Sequence, residues 1–482
     1  MQINEKYEAV IGLEVHAQLN TASKLFCADS TLFGSEPNTQ VSPISLAHPG
    51  TLPRLNRAAV EHAIRLGLAL QCEIAQHNYF ARKHYFYPDL PKAYQISQHT
   101  TPICSGGRVP IQVGEGKRSI QLNRIHIEED AGKSIHDAND AFTRIDLNRA
   151  GTPLLEIVSE PDLHTPEEAY AYLSELRRLV QWLGICDGNM EEGSMRCDAN
   201  VSIRLRGETK LGTRVEVKNL NSVRNLKKAV EIEIGRLIEL SETGQPIRQE
   251  TRSFDADQQR TFTLRSKEDA EDYRYFPDPD LAPITITEAE LQAARDAMPE
   301  LPWELENRLQ QTYQLSAYDA NQLASDRHTA DFVQQLIQAG ATPKAATNWV
   351  IGPIRTYLNE QGTAINDFPL SPQRIAALIQ LVEQGLVGYT VASTRLFEAL
   401  IKQPDANPTA LAETLNLLQE SDQSTLASWI DDVLQAFPDK VQEYKKGKKG
   451  VLGLFAGEVK KRSKGKADMN QVTQLLQQKL QD

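Results

Sequence analysis

The sequence predicts an α+β protein, a mostly antiparallel sheet with helices in its N-terminal region followed by an all-helical region. Three observations lead there. Several stretches before residue 220 alternate apolar and polar side chains with a period of two, the signature of half-buried strands. From about Leu301 the texture changes to Gln, Ala, Leu and charged residues, in segments of roughly 10–18 residues between Gly and Pro breaks, which read as amphipathic helices. The chain of 482 residues is also too long for one core, which sets an expectation of about two to four domains.

Hydrophobic residues make up 40% of the chain and charged residues 24%, the composition of an ordinary soluble globular protein. No apolar run approaches the roughly 18–20 residues of a membrane span, and Met1–Lys6 has the character of neither a signal peptide nor a basic targeting helix. Five cysteines, at 27, 72, 104, 186 and 197, are scattered without a C-x-x-C pair, which argues against a disulfide framework. A reducing cytoplasmic location without membrane contact is therefore expected. The net charge of −12 alone would argue against nucleic acid. It conceals a basic segment, because residues 440–466 hold ten Lys or Arg and only two Glu.

The first predicted strand is Ala9–Leu19. Ala9, Ile11, Leu13, Val15, Ala17 and Leu19 fall on one face, and Val10, Gly12, Glu14, His16 and Gln18 on the other. Glu14 and His16 then project the same way, roughly 6–7 Å apart at about 3.3 Å rise per residue. Residues 20–60 are rich in Ser, Thr, Pro, Asn and Gly and read mostly as loop. Residues 82–98 mix Tyr and Phe with Lys, Arg and His, and Pro88 and Pro91 exclude a helix. Such a loop suits a base and a phosphate, or a surface covered by a partner protein. In Leu122–Glu128, Leu122, Arg124, His126 and Glu128 share a face against Ile125 and Ile127; Glu129 would join them only through a bulge. Ile145–Ser159 reads as two short strands around a Gly-Thr-Pro turn. Thr165 caps a helix with Pro166 at its first position, a buried stripe of Leu173, Leu176, Val180 and Leu183, and Gly184 at its end. Cys197–Leu205 places Asp198, Asn200, Ser202 and Arg204 on one face, and Thr213–Lys218 places Arg214, Glu216 and Lys218 together. Ser222 caps the helix that follows, buried through Leu226, Val230, Ile234 and Leu237.

Four strands thus share an apolar underside and a polar face. Glu14, Glu128, Asp198 and Glu216 are the acids, beside His16, His126, Arg204, Arg214 and Lys218. Such a face fits either a cation and an anion bound together or a solvated, salt-bridged sheet. Carboxylate ligands point to Mg²⁺ bridging nucleotide phosphates; an imidazole ligand better suits Zn²⁺ or Mn²⁺. Gly114-Glu-Gly-Lys-Arg lacks the first Gly of a Walker A loop and reads as a hairpin turn. No G-x-S-x-G, kinase set or H-E-x-x-H occurs.

In the C-terminal region a helical segment is expected over Ala320–Ala339, with Leu323, Ala330, Phe332 and Leu336 inward, and a boundary falls in Gln403–Thr409. The closing segment spaces basic blocks with Gly, at Lys445, Lys446, Lys448, Lys449, Lys460, Lys461 and Arg462. It fits a phosphate backbone read by shape, or a solvated basic face.

Six motifs then carry a resemblance: Ile11-Gly-Leu-Glu-Val-His16, Tyr87-Pro-Asp-Leu-Pro-Lys-Ala-Tyr-Gln-Ile-Ser97, His126-Ile-Glu-Glu-Asp-Ala-Gly-Lys133, Asp146-Leu-Asn-Arg-Ala-Gly-Thr-Pro-Leu-Leu-Glu156, Gly188-Asn-Met-Glu-Glu-Gly-Ser-Met-Arg-Cys-Asp198 and Tyr273-Arg-Tyr-Phe-Pro277. In this order they resemble the GatB family, the B subunits of the heterotrimeric tRNA-dependent amidotransferases, over essentially the whole chain. The end, from Gly450, resembles the YqeY-type tail with which that family closes. The resemblance implies a sheet cradle over 1–295, a helical domain over 296–405 and a small α-helical, tRNA-binding tail over 406–482.

It further implies ATP- and Mg²⁺-dependent phosphorylation of the side-chain carboxylate of Glu-tRNA(Gln), Asp-tRNA(Asn) or both. Amidation follows, with ammonia released from glutamine by an amidase (the A subunit) in a heterotrimer completed by the small C subunit. The family's metal positions map onto Glu14, His16, the Glu128–Glu129 pair, Asp198 and Glu216, with Glu14, His16, Glu128 and Glu216 serving catalysis. Candidates for holding nucleotide or acyl phosphate are Lys83, Tyr85, Lys92, Arg149, Arg196 and Lys218. Many members carry Cys-x-Cys near position 27 and Cys-x-x-Cys near 42, a structural zinc arrangement. Here those places hold Cys27, Asp29, Ser42 and Ser45, so no zinc is expected. Two other classes compete: a non-catalytic tRNA-binding scaffold, which an acid-lined face disfavours, and a stand-alone metal hydrolase, which the basic tail disfavours.

Overall fold

The computed structural model describes residues 6–135, 142–266, 273–419, 423–463 and 466–481; the first five residues, on which the reading of the chain's start rests, lie outside them. The chain divides into two units, Met1–Leu301 and Pro302–Asp482.

Ten strands of the first unit form one sheet among the described residues: β1 (Tyr7–Gln18), β2 (Glu73–Ile74), β3 (Cys104–Ser105), β4 (Arg108–Val113), β5 (Gly116–Glu129), β6 (Pro153–Ser159), β7 (Met195–Leu205), β8 (Val215–Lys218), β9 (Glu250–Asp255) and β10 (Arg260–Ser266). Their order is β10-β9-β8-β7-β1-β6-β5-β3-β2, with β4 paired to β5. Every pairing is antiparallel except β8 with β9. The expected strands are therefore neighbours in space, with β6 inserted between β1 and β5. Leu13, Val15, Ile125, Ile127, Leu155, Ile157, Ala199, Val201, Val215 and Val217 make the apolar underside, each buried. Helices α1 (Arg57–Ala69), α2 (Pro166–Trp182) and α3 (Val223–Glu242) supply its cover, α1 on β5, α3 on β7, and α2 on α3 and β4.

The helix signals hold in detail. Thr165 Oγ1 accepts from Glu168 N at 3.1 Å, Pro166 opens α2, and Gly184 beyond its end has φ +68°. Ser222 Oγ accepts from Asn225 N at 3.1 Å to start α3. The expected α3 stripe is corrected at one place: Ile234 is only half-buried, and Glu233 beside it is fully buried instead, paired with Arg236 and Arg252. The Gly114 turn closes the β4–β5 hairpin at Val113↔Gly116.

Two further expectations are corrected. Residues 82–98 are not all loop, because Ala81–His84 and Tyr94–Ser97 pair as a hairpin and Phe276–Pro277 adds a third strand. Pro88 and Pro91 lie in the connecting loop, where no ladder donor is required. The segment 320–339 is not a single helix: Ala317–Leu323 ends before Asp326, whose side chain accepts from Thr329 N at 2.7 Å and starts Arg327–Gln338. An aspartate at an N-cap competes better than continuation through Ser-Asp.

The second unit is helical throughout its described residues. Its last stretch has its own core of Leu426, Ile430, Val433, Phe455, Val459, Val472 and Leu476. No described helix is long and apolar enough to cross a membrane.

Candidate functional site: an acid–imidazole row on the polar face of the sheet

The strand registers build the site. His16 on β1 stands opposite Arg196 on β7 and Glu156 on β6, and Glu156 stands opposite His126 on β5. One rung therefore runs Arg196–His16–Glu156–His126 across four strands. The next rungs place Glu14 opposite Asp198, Leu154 opposite Glu128, and Asn200 opposite Glu216. Since the side-chain period of a strand is two, the charged groups of these rungs emerge on one face.

Their atoms meet. His16 Nε2 lies 3.6 Å from Glu14, 3.5 Å from Glu156 and 3.9 Å from Glu128. His126 Nε2 lies 3.3 Å from Glu156 and 3.5 Å from Glu128. Two ligand-like triads result, Glu14–His16–Glu156 and His126–Glu128–Glu156, each with its donor atoms within 4.8 Å of one another. Glu156 belongs to both.

The charges settle in a definite pattern. Burial works against a charge on His126, but Glu156 and Glu128 win and raise it to about 9; the same groups with Glu14 raise His16 against its burial. Burial also opposes ionisation of Glu156, and the two imidazoles beside it nevertheless hold it well below the usual carboxylate range. Burial, then the charge of Glu156, raises Glu14. Glu14 therefore takes a proton more readily than an ordinary carboxylate.

Beside this row, Lys218 Nζ donates to Asp198 Oδ2 and lies 3.1 Å from Glu216. Thr251 donates to Glu216 Oε2 at 2.8 Å. Burial disfavours the Lys218 charge, yet the two carboxylates keep its pKa above the ordinary lysine value. Arg196 donates to the buried Asp130 at 2.8 Å, and Arg149 approaches the same carboxylate at 3.7 Å. A cavity of about 480 Å³ continues the same face beyond Glu14, over Gly12, Asn200 and Ser202, with Thr213 and Arg214 at its wall.

Not every residue singled out in the sequence joins this face. Glu128 is on it; Glu129, the next residue, is on the opposite side, bound to Lys92 and accepting from Ile96 N at 2.8 Å. The irregularity in β5–β6 pairing falls at Val158/Ser159, upstream of both glutamates on β5, and leaves their alternation intact. Lys92 faces the Phe26 and Tyr94 rings, Lys83 sits over Tyr273 at 4.8 Å, and Tyr85 donates to Asp89 at 3.4 Å. Burial, then Asp89, pushes the Tyr85 phenol up to about 12. The seven basic tail residues are all exposed, on Pro438–Lys445, the turn after it and the end of Leu452–Arg462. Glu443 lies 3.5 Å from Lys448.

Glu156 is the member that strand-by-strand reading left out of the polar set. Its strand, Pro-Leu-Leu-Glu-Ile-Val-Ser, is apolar on both sides of one acid, so no alternation of polar residues marks it. The signal available was period-two parity: an acid flanked by Leu155 and Ile157 must oppose both. Tyr275, stacked on His99 with centroids 4.0 Å apart, also faces this group; burial, then Glu128 and Glu156, raises its phenol to about 12.

The residues at the four zinc-motif places also converge. Cys27 Sγ lies 3.4 Å from Ser45 Oγ, Ser42 N donates to Asp29 Oδ2 at 2.9 Å, and Ser45 Oγ donates to the same oxygen. Lys24, fully buried beside them, donates to Gln40 O at 2.8 Å and Leu147 O at 3.2 Å.

Comparison with known families agrees with this architecture. A family model described as the GatB/GatE catalytic domain matches residues 9–292, and one described as the GatB domain matches 331–480. A protein of Pelodictyon phaeoclathratiforme is 49% identical over 476 residues, covering 99% of this chain and 100% of its own. Proteins of a Synechococcus species and of Oleidesulfovibrio alaskensis are 47% and 48% identical, each matched over 98% of this chain and over 98% and 99% of their own lengths. All three are named as the B subunit of an aspartyl/glutamyl-tRNA(Asn/Gln) amidotransferase. With both units of the chain matched and nearly half its residues identical to such relatives, the chain belongs to the GatB family of ligase-type amidotransferase subunits.

Proposed function

We propose that the acid–imidazole face activates the side-chain carboxylate of Glu-tRNA(Gln), Asp-tRNA(Asn) or both with ATP, and then amidates it. A carboxylate oxygen of the aminoacyl group attacks the γ-phosphorus of ATP, the bond to ADP breaks, and an acyl phosphate results. Ammonia, released from glutamine by an amidase partner in a heterotrimer with a small third protein, attacks the acyl carbon; phosphate leaves and a proton is lost. The names of the relatives support the tRNA substrates and a multi-subunit assembly.

The observation that carries this reading is the pair of triads sharing Glu156. The donor set fits a divalent cation at either triad, where two carboxylates and one imidazole converge. Glu14, His16 and Glu156, or His126, Glu128 and Glu156, would hold it, with Mg²⁺ favoured by the carboxylates and Mn²⁺ equally compatible with the imidazole. Such a cation supplies neutralisation of charge on the transferred phosphoryl group. The chain's own residues do the rest. Lys218 and Arg196, kept charged by Asp198 with Glu216 and by Asp130, offer cations for phosphate oxygens on the same face. The adjoining cavity is large enough for a nucleoside. The exposed basic residues at 445–449 and 460–462 suit a tRNA backbone.

The test is phosphate release from ATP by this chain assembled with its amidase and small partner proteins, with and without Glu-tRNA(Gln). Release that requires the charged tRNA and disappears in Glu14→Gln is expected. Release indifferent to Glu14 would leave a non-catalytic tRNA-binding scaffold as the better account.

A further inference from the structure

Asp130 is 3% exposed and immediately follows the Glu128–Glu129 pair, yet it belongs to neither triad of the acid–imidazole row. Its partners are cationic or amide donors. Oδ1 accepts from Arg196 Nη2 at 2.8 Å and from Ala131 N at 2.9 Å. Oδ2 accepts from Gln18 Nε2 at 2.6 Å and lies 3.7 Å from Arg149 Nε. Two guanidinium groups, their side chains 38% and 34% exposed, therefore share one buried carboxylate.

Each arginine is aimed, not merely neutralised. Arg149 also donates from Nε to Ala131 O and from Nη2 to Gly132 O, both at 2.8 Å. Gly132 is required there, because a Cβ would meet Asp146 O and Asp89 O at 2.9 Å. The Arg196 side chain makes its one hydrogen bond among the described residues to Asp130, and its rung neighbour is His16. Its Nε and Nη1 are left to donate elsewhere. Without Asp130 the two like charges would repel; with it the group keeps a net positive charge in a fixed geometry. Guanidinium donors held in this way match phosphate oxygens.

We infer that Asp130 is a positioning residue that holds Arg196 and Arg149 as a paired clamp for the phosphoryl group in transit between nucleotide and acyl carboxylate. This rests on the function proposed above. Groups that orient the residues contacting a reacting centre commonly contribute roughly 10- to 100-fold to activity.

The experiment uses the assembled complex and measures tRNA-dependent phosphate release from ATP for wild type, Asp130→Asn, Arg196→Lys and the double variant. Asp130→Asn is expected to lower kcat roughly 10- to 100-fold, with charged-tRNA affinity within about twofold of wild type. Combined with Arg196→Lys it should add little, because the two changes disable one device. Losses that multiply in the double variant, or a wild-type kcat in Asp130→Asn, would overturn the inference. Should Asp130→Asn not assemble, Arg149→Gln and Arg196→Gln replace it: together they should cost little more than either alone, and multiplying losses count against the clamp. Absence of tRNA-dependent release in the wild-type complex would instead sink the proposed function itself.

Discussion

His16 and Glu156 are register partners across β1 and β6, with Nε2 and Oε2 3.5 Å apart. The contact joins the two triads, because Glu156 also reaches His126 at 3.3 Å. A carboxylate shared by two imidazoles is the link on which the whole site depends.

Glu156→Gln should therefore do more damage than loss of one ligand. It removes the group common to both triads and the main support of charge on His126. Mn²⁺ affinity, followed by electron paramagnetic resonance, should fall at least about tenfold, by analogy with the 10–100-fold losses seen when supporting partners are removed. The His126 imidazole should titrate well below about 9 in NMR. Unchanged metal affinity would show that Glu156 is not a ligand.

In the metal-free chain the same charges make stability depend on pH. The folded-state value of His126 is raised from 6.5 to about 9. Its contribution is fully present below pH 6.5 and is lost as pH rises through about 9. With the side chain 4% exposed, the rise corresponds to about 3 kcal/mol at most. Urea unfolding in EDTA should show the sheet unit less stable at about pH 9.5 than at about pH 6. A flat profile across that window would contradict the assignment.

Metal binding must displace those protons. Mn²⁺ titrations in buffers of different ionisation heat should report proton release near neutral pH, and affinity should climb between about pH 6 and 9. Affinity independent of pH would mean that neither imidazole ligates.

The basic tail is tested by charge removal. Neutralising Lys445, Lys446, Lys448 and Lys449, all exposed, should reduce the slope of log affinity for tRNA against log salt by roughly 3. An unchanged slope would mark the segment as a solvated face.

The knot around Cys27 and Lys24 gives two further expectations. Stringently washed protein should contain no stoichiometric zinc, since one thiol remains and Asp29 already accepts from Ser42 and Ser45. Lys24→Ala should destabilise the first unit by about 1–3 kcal/mol, because it removes a fully buried side chain and the donor to the half-buried carbonyls of Gln40 and Leu147. Stability within about 0.5 kcal/mol of wild type would remove Lys24 from that role.

Much was legible in residue order. The alternation in β1, β5, β7 and β8 located four acids and their shared polar face, because side-chain parity in a strand is set locally. The caps at Thr165 and Ser222 were likewise local, a hydroxyl meeting an amide three residues on. What no local pattern determined was which strands lie side by side. Insertion of β6 between β1 and β5 brings Glu156 between two imidazoles, and only long-range pairing makes that choice. Alternation along β5 separates Glu128 from Glu129, one to the polar face and the other to Lys92, whereas long-range pairing joins Asp130 to arginines from two distant segments. Sequence alone determined the faces. Tertiary structure decided the neighbours, since charge, burial and proton affinity depend on distances that chain order does not contain.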